Sequence, residues 1–164
     1  MPRRTQVWTC IVAALLSVAT VAQAQQDDFP PEDNLIIREY VLTAEKFDSF
    51  IHGVIAVAAA KNSDVVLARE LDEIDSEPAE TLADLRAQIT GHPRVFEFYQ
   101  RQGLTADDTV LIPLVAGYAA AATAPDDPIL YADRIIPSQV NFMRANSRLM
   151  DRLVEAYAVL FATQ

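Results

Sequence analysis

From Val110 to Ala122 the chain is apolar for 13 consecutive residues. A helix that is apolar on every side needs neighbours on every side. Thr105-Ala106-Asp107-Asp108 precedes the run, with a threonine to cap the first amides and an acid at the third position to reach back. The pattern predicts a central, buried helix from Val110 to about Ala124 in an all-α domain. Pro113 is expected to kink it, because the ring removes one hydrogen bond and crowds the preceding turn. Ala119 to Ala122 keep side chains short, so facing helices can approach closely. The run is too short to cross a bilayer, which takes ~20 apolar residues. Pro125-Asp126-Asp127-Pro128 ends it, and a loop leads to Pro137.

The same signals place the other helices. Thr43 caps a helix whose apolar set is Phe47, Phe50, Ile51, Val54, Ile55 and Ala58, one face at helical spacing. Asn62-Ser63-Asp64 breaks that pattern and caps a second helix carrying Val66, Leu67, Leu71 and Ile74. An acidic connector holding Pro78 leads to a third, with Leu82, Leu85 and Ile89. Gly91-His92-Pro93 stops that helix and starts another, since proline suits a first helical position. Val95, Phe96 and Tyr99 mark its buried side, and Gly103 is a natural stop. Ser138 opens a long final helix with Met143, Met150, Leu153, Val154, Tyr157, Leu160 and Phe161 on one side. The expectation is a single domain, 42–164, of about five or six helices in an irregular bundle. Residues 25–41 read as an extended leader; Leu35-Ile36-Ile37 and Tyr40-Val41-Leu42 are strand-like without a partner strand, so an apolar lead-in or a short helix is expected there.

Residues 1–24 read as an export signal: Arg3 and Arg4, an almost unbroken apolar run from Val7 to Val21, then Ala22-Gln23-Ala24 as a small-x-small exit. Cleavage after Ala24 predicts a periplasmic or secreted chain of 140 of the 164 residues. Its 13 basic residues less those two arginines, against 23 acidic, leave a charge of −12. That balance argues against nucleic acid and anionic membrane surfaces, both of which attract basic stripes. The 13-residue run adds no stable membrane insertion of the exported chain. Cys10 is the only cysteine and lies within the signal, so disulfides, thiol nucleophiles and thiolate metal sites are excluded from the exported chain. Four glycines, at 53, 91, 103 and 117, are too dispersed for a phosphate-cradling loop.

Leu42-Thr43-Ala44-Glu45 and Leu104-Thr105-Ala106-Asp107 lie 62 residues apart and each opens an alanine-rich helix. Common capping chemistry explains this echo better than duplication, because little downstream matches. Gly103-Leu104-Thr105 with its alanine-rich helix, and Pro137-Ser138-Gln139-Val140-Asn141-Phe142-Met143-Arg144, resemble a family of small exported bacterial helical proteins. Members often carry asparagine where this chain has Gln139 and histidine where it has Asn146. The resemblance implies a helical bundle and an exported address; it implies no activity.

Chemistry-bearing patterns are sparse. The two histidines, His52 and His92, belong to no histidine pair and no glutamate-x-x-histidine motif, so neither a metal site nor a cofactor is expected. His52 reads as a partly exposed helix residue and His92 as a cap. No serine sits in a nucleophile elbow. Glu70, Asp72, Glu73, Asp75, Glu77 and Glu80 crowd eleven positions, where a solvated face is the cheaper outcome than a catalytic pair. The Phe47–Phe50, Phe96–Tyr99 and Tyr157–Phe161 spacings are those of core aromatics. Residues 139, 143, 146 and 150 share one face of the final helix, and the candidates for a polar pocket are Asn146, Gln139 and His52; for Asn146 a core amide bonded to a neighbouring helix, or a boundary residue facing water, is the preferred reading. No catalytic residue is assigned. Two function classes follow. One is a non-catalytic binding protein for a protein partner or a small apolar ligand. The other is an enzyme or accessory subunit whose carboxylate and histidine site carries no recognisable motif.

Overall fold

The computed structural model describes residues 29–122 and 135–162. The export-signal reading and most of the 125–136 loop reading fall outside them. The described residues form eight helices and no strand: α1 (Pro31–Glu39), α2 (Ala44–Ala60), α3 (Val65–Ser76), α4 (Leu82–Gly91), α5 (Pro93–Gln100), α6 (Ala106–Ala121), α7 (Pro137–Ala145) and α8 (Ser147–Leu160). No single helix among them is long and apolar enough to cross a membrane.

Two changes raise the count above five or six. The supposed leader is helical over Pro31–Glu39. Pro31 stands at its first position, Glu32 and Asp33 occupy its first turn, and Ile37 anchors it with a fully buried side chain. The expected long final helix is broken at Asn146, whose backbone leaves helical geometry (φ −116°, ψ 33°) between α7 and α8. The face shared by 139, 143, 146 and 150 is therefore not continuous.

The capping expectations hold at atomic level. Thr43, Asp64 and Thr105 each accept a hydrogen bond from the amide three residues on, and Thr81, not read as a cap from the sequence, does the same for α4. At Thr105 the reciprocal bond is present too, its N–H donating to Asp108 Oδ2 at 3.1 Å. Gly103 closes α5 with φ +79°, the left-handed value that glycine adopts without a Cβ clash.

α6 is buried as its composition demands. Ile112, Val115, Ala116 and Ala119 have no exposed surface, whereas Ala120 to Ala122 are only half-buried. The helix continues through Pro113, which offers no amide to the Thr109 carbonyl. α2 shares the centre: Phe47, Ile51, Val54 and Val57 are fully buried, and its contacts extend to α5, α6 and, most extensively, α8. Helix α2 packs tightly on α5 at Gly53, where a Cβ would lie 2.6 Å from Cδ1 of Tyr99. That ring stacks on Phe50 with centroids 5.4 Å apart. On α5 the buried side is Val95, Phe98 and Tyr99, with Phe96 half-buried, one position away from the expected set.

Candidate functional site

Helix α2 carries a solvent-facing stripe beside its buried one. Its residues Asp48, His52, Ile55 and Ala59 recur at intervals of four, three and four, which places them on one stripe. The stripe runs beside α8, where Arg152, Glu155, Ala156 and Val159 face it. Between the two helices lies a groove of about 310 Å³ lined by Ile55, Ala58, Ala59, Arg152, Glu155, Ala156 and Val159. Ile55 is 44% and Val159 64% exposed, so its apolar walls meet solvent. Ile55 was expected in the core by spacing. It lies instead at the edge of the α2 face, where α8 does not cover it.

One end of the groove is polar. Asp48 bonds the Arg152 guanidinium, and its other oxygen lies 3.3 Å from Nδ1 of His52. Beyond the other end, Lys61 donates from Nζ to the Leu160 carbonyl at 2.9 Å. That bond supplies a cation to the C-terminal end of α8, where carbonyls lack helical partners. The groove walls are thus pinned near both ends.

The three residues expected to form a polar pocket do different things. His52 is exposed beside Asp48 at the groove's polar end. Gln139 is buried, and its Oε1 accepts from the Ile136 amide at 3.0 Å. Its Nε2 donates to the carbonyls of Ile37 and Tyr40 at 2.9 and 3.1 Å. That side chain ties the α1–α2 connection to the start of α7. Asn146 donates from Nδ2 to the Phe142 carbonyl at 2.8 Å and marks the α7–α8 break. The Gln139 and Asn146 amides are thus occupied by backbone, and neither joins His52.

Two polar clusters that sequence spacing did not reveal hold the bundle together. The Asp108 carboxylate, besides capping α6, accepts from Lys46 Nζ at 2.6 Å, from the Tyr40 hydroxyl at 2.7 Å and from the Thr105 hydroxyl at 2.7 Å. Burial works to raise its pKa, but the bonds from Lys46, Tyr40 and Thr105 outweigh it and hold the carboxyl well below the usual carboxylate range. Burial first, and then the Asp108 contact, push the Tyr40 hydroxyl well above its ordinary value. The aspartate is therefore a satisfied anion, and the tyrosine a donor that keeps its proton.

The second cluster joins α3 to α5. Glu70, alone of the six crowded acids, is buried, and its Oε2 accepts from the amides of Arg94 and Val95 at 2.8 and 3.0 Å. An acid from one helix thus caps another, with the favourable sign for a helix N-terminus. Asp33 does the same for α4, accepting from the Leu82 amide at 2.8 Å. His92 forms the α4–α5 junction as expected of a cap, but buried. Its Nδ1 lies 2.7 Å from the Gln88 carbonyl, and because a carbonyl only accepts, Nδ1 is the donor. Nε2 lies 3.4 Å from Glu73 and 3.9 Å from Glu77. Both carboxylates are half exposed. Among the described residues, no group of three or more His, Cys, Asp or Glu side chains is arranged to hold a metal ion.

Comparisons with protein-family models, curated proteins and solved structures find no match for this chain.

Proposed function

We propose that this chain is an exported, non-catalytic binding protein that receives an apolar partner surface in the α2–α8 groove. The single observation behind this reading is the groove itself, lined by Ala58, Ala59 and Ala156 and the solvent-facing Ile55 and Val159, with Arg152 and Glu155 its charged lining residues. Its volume of about 310 Å³ stands at the small end of ligand pockets, which run ~300–1,000 Å³. An open, shallow trough of that size suits a helix face better than an enclosed small molecule. The export address rests on the signal-type residues 1–24. The carboxylates facing the two histidines, Asp48 at His52 and Glu73 and Glu77 at His92, are all more than a third exposed. Such solvated carboxylates suit ion pairing better than acid–base chemistry, which needs environments that separate two pKa values.

Site-specific photo-crosslinking in exporting cells tests the reading. A photoreactive residue at Ala59 or Val159 is expected to give the same discrete adduct, and one at exposed Ala83 on α4 none. Lack of an adduct from both groove positions, or equal labelling from Ala83, would refute the groove as a binding surface.

A further inference from the structure

We infer that His92, Glu73 and Glu77 form a proton-operated latch: protonation of the ring fastens the acidic end of α3 to the α4–α5 junction, and loss of that proton sets the end free. The inference stands apart from the groove and starts from how the ring is held. His92 ends α4 and begins α5, and its side chain is only 9% exposed. Nδ1 is spent on the Gln88 carbonyl, 2.7 Å away. Nε2 faces Oε2 of Glu73 and Oε1 of Glu77, at 3.4 and 3.9 Å. A carbonyl and two ionised carboxylates only accept hydrogen bonds. The neutral ring has one N–H for the three of them and turns the lone pair of Nε2 towards the acids. Only the protonated ring donates on both sides. Burying a charge is costly unless it is paired and hydrogen-bonded, and this site offers both.

The acids come from one stripe of α3. Glu70, Glu73 and Glu77 follow at intervals of three and four, so the face that caps α5 through Glu70 also carries two carboxylates to His92. Glu73 and Glu77 are an i, i+4 pair of like charge, which destabilises a helix end until a cation stands against both. Gln88 donates from Nε2 to the Glu77 carbonyl at 2.8 Å, a tie indifferent to pH, and the ring proton adds one that is not. The other charges around the junction are engaged elsewhere. On α3, Arg69 stands 3.5 Å from Glu73 as a rival cation, and Glu70 is held by the Arg94 and Val95 amides. On α5, Arg94 pairs with Asp64 and Glu97. On α4, Asp84 caps its own helix and Arg86 pairs with Asp107. The latched arrangement binds the proton more tightly than the released one, so acid closes the latch and a rise in pH opens it.

The test reads ring and helix end together by nuclear magnetic resonance of the nitrogen-15-labelled exported chain. Histidine changes charge within roughly pH 5–8, and a His52→Gln variant identifies the His92 ring signals. Across that range His92 should lose the proton on Nε2 and keep the one on Nδ1. The Glu77 amide, which donates to the Glu73 carbonyl, should lose protection from hydrogen exchange by roughly two- to fivefold beyond the intrinsic effect of pH, the worth of a partly exposed ion pair. Glu73→Gln and Glu77→Gln together should release the ring proton at lower pH and flatten the protection profile. Arg69→Gln, which takes away the rival cation, should retain the proton to higher pH. All three substituted positions are exposed, and far-UV circular dichroism checks that the variants stay folded. A purely structural histidine, held by Gln88 alone, would titrate without moving the Glu77 amide. That outcome, a ring indifferent to the glutamine variants, or a high-pH ring protonated on Nε2 instead of Nδ1 would each overturn the latch.

Discussion

Gly53 and Gly117 are both helix-interior glycines at negative φ, yet alanine should act on them with opposite sign. Alanine is worth about 1 kcal/mol over glycine in a helix interior. At Gly117 that gain stands alone, because a Cβ there meets nothing within 4 Å. At Gly53 the same methyl would lie 2.6 Å from Cδ1 and 2.9 Å from Cε1 of Tyr99. Carbon atoms rest at ~3.5–4.0 Å, so ring or helix must retreat by about 1 Å. The ring has nowhere easy to go, being buried and stacked on Phe50. Overpacking of this kind costs roughly 1–3 kcal/mol, which cancels or exceeds the helix gain. Gly117→Ala is therefore expected to stabilise by about 1 kcal/mol, and Gly53→Ala to destabilise by roughly 0–2 kcal/mol. Urea unfolding reads the difference directly, with midpoints about 1 M apart for a slope of ~1–3 kcal/mol/M. In a Tyr99→Ala background the clash is gone, and Gly53→Ala should then become stabilising. Equal upward shifts for both glycine variants in the native background would refute the close α2–α5 approach.

Other outcomes follow from the buried polar groups and the N-terminus. Asp108→Asn should destabilise by roughly 2–3 kcal/mol at neutral pH, since charge-assisted bonds from Lys46, Tyr40 and Thr105 are weakened. Because the fold depresses the Asp108 carboxyl, its contribution is complete above the unfolded value of ~3.9 and is lost as pH falls towards the lower folded value. Acid titration of stability should therefore fall less steeply below that pH in the variant than in wild type. Glu70→Ala should cost roughly 1–3 kcal/mol by leaving the Arg94 and Val95 amides without their acceptor, whereas Glu70→Gln, which keeps an acceptor, should recover part of the loss in the same unfolding assay. Intact mass of the exported chain is expected to begin at Gln25; a species retaining Arg3 and Arg4 would replace a free exported protein with an anchored one.

Local signals determined much of this molecule directly. Helix starts at Thr43, Asp64 and Thr105 were legible because a cap is made by residues three positions apart. The same holds for the stop at Gly103, where only one residue's φ is at stake. The burial of α6 was legible for a related reason: no arrangement of an all-apolar helix leaves a face for water. The break at Asn146 was not, because apolar spacing alone does not distinguish one long helix from two that meet at an angle. The helix at Pro31–Glu39 was obscured by an ambiguous run, Leu35-Ile36-Ile37, in which one isoleucine is buried and its neighbours are half exposed.

What only the tertiary structure decided are the long-range pairings. Asp108 with Tyr40 and Lys46, Glu70 with the α5 amides, Asp33 with Leu82, and Gln139 with Ile37 and Tyr40 join residues 24 to 102 positions apart. Nothing in one segment records which amide of another lacks a partner, so these acids and this glutamine look, in sequence, like any solvated side chain. The groove is of the same kind. Ile55 has the spacing of a core residue, and whether it is covered depends on where α8 lies across α2. The sequence specifies the apolar stripes; the way two helices pack leaves part of one stripe open.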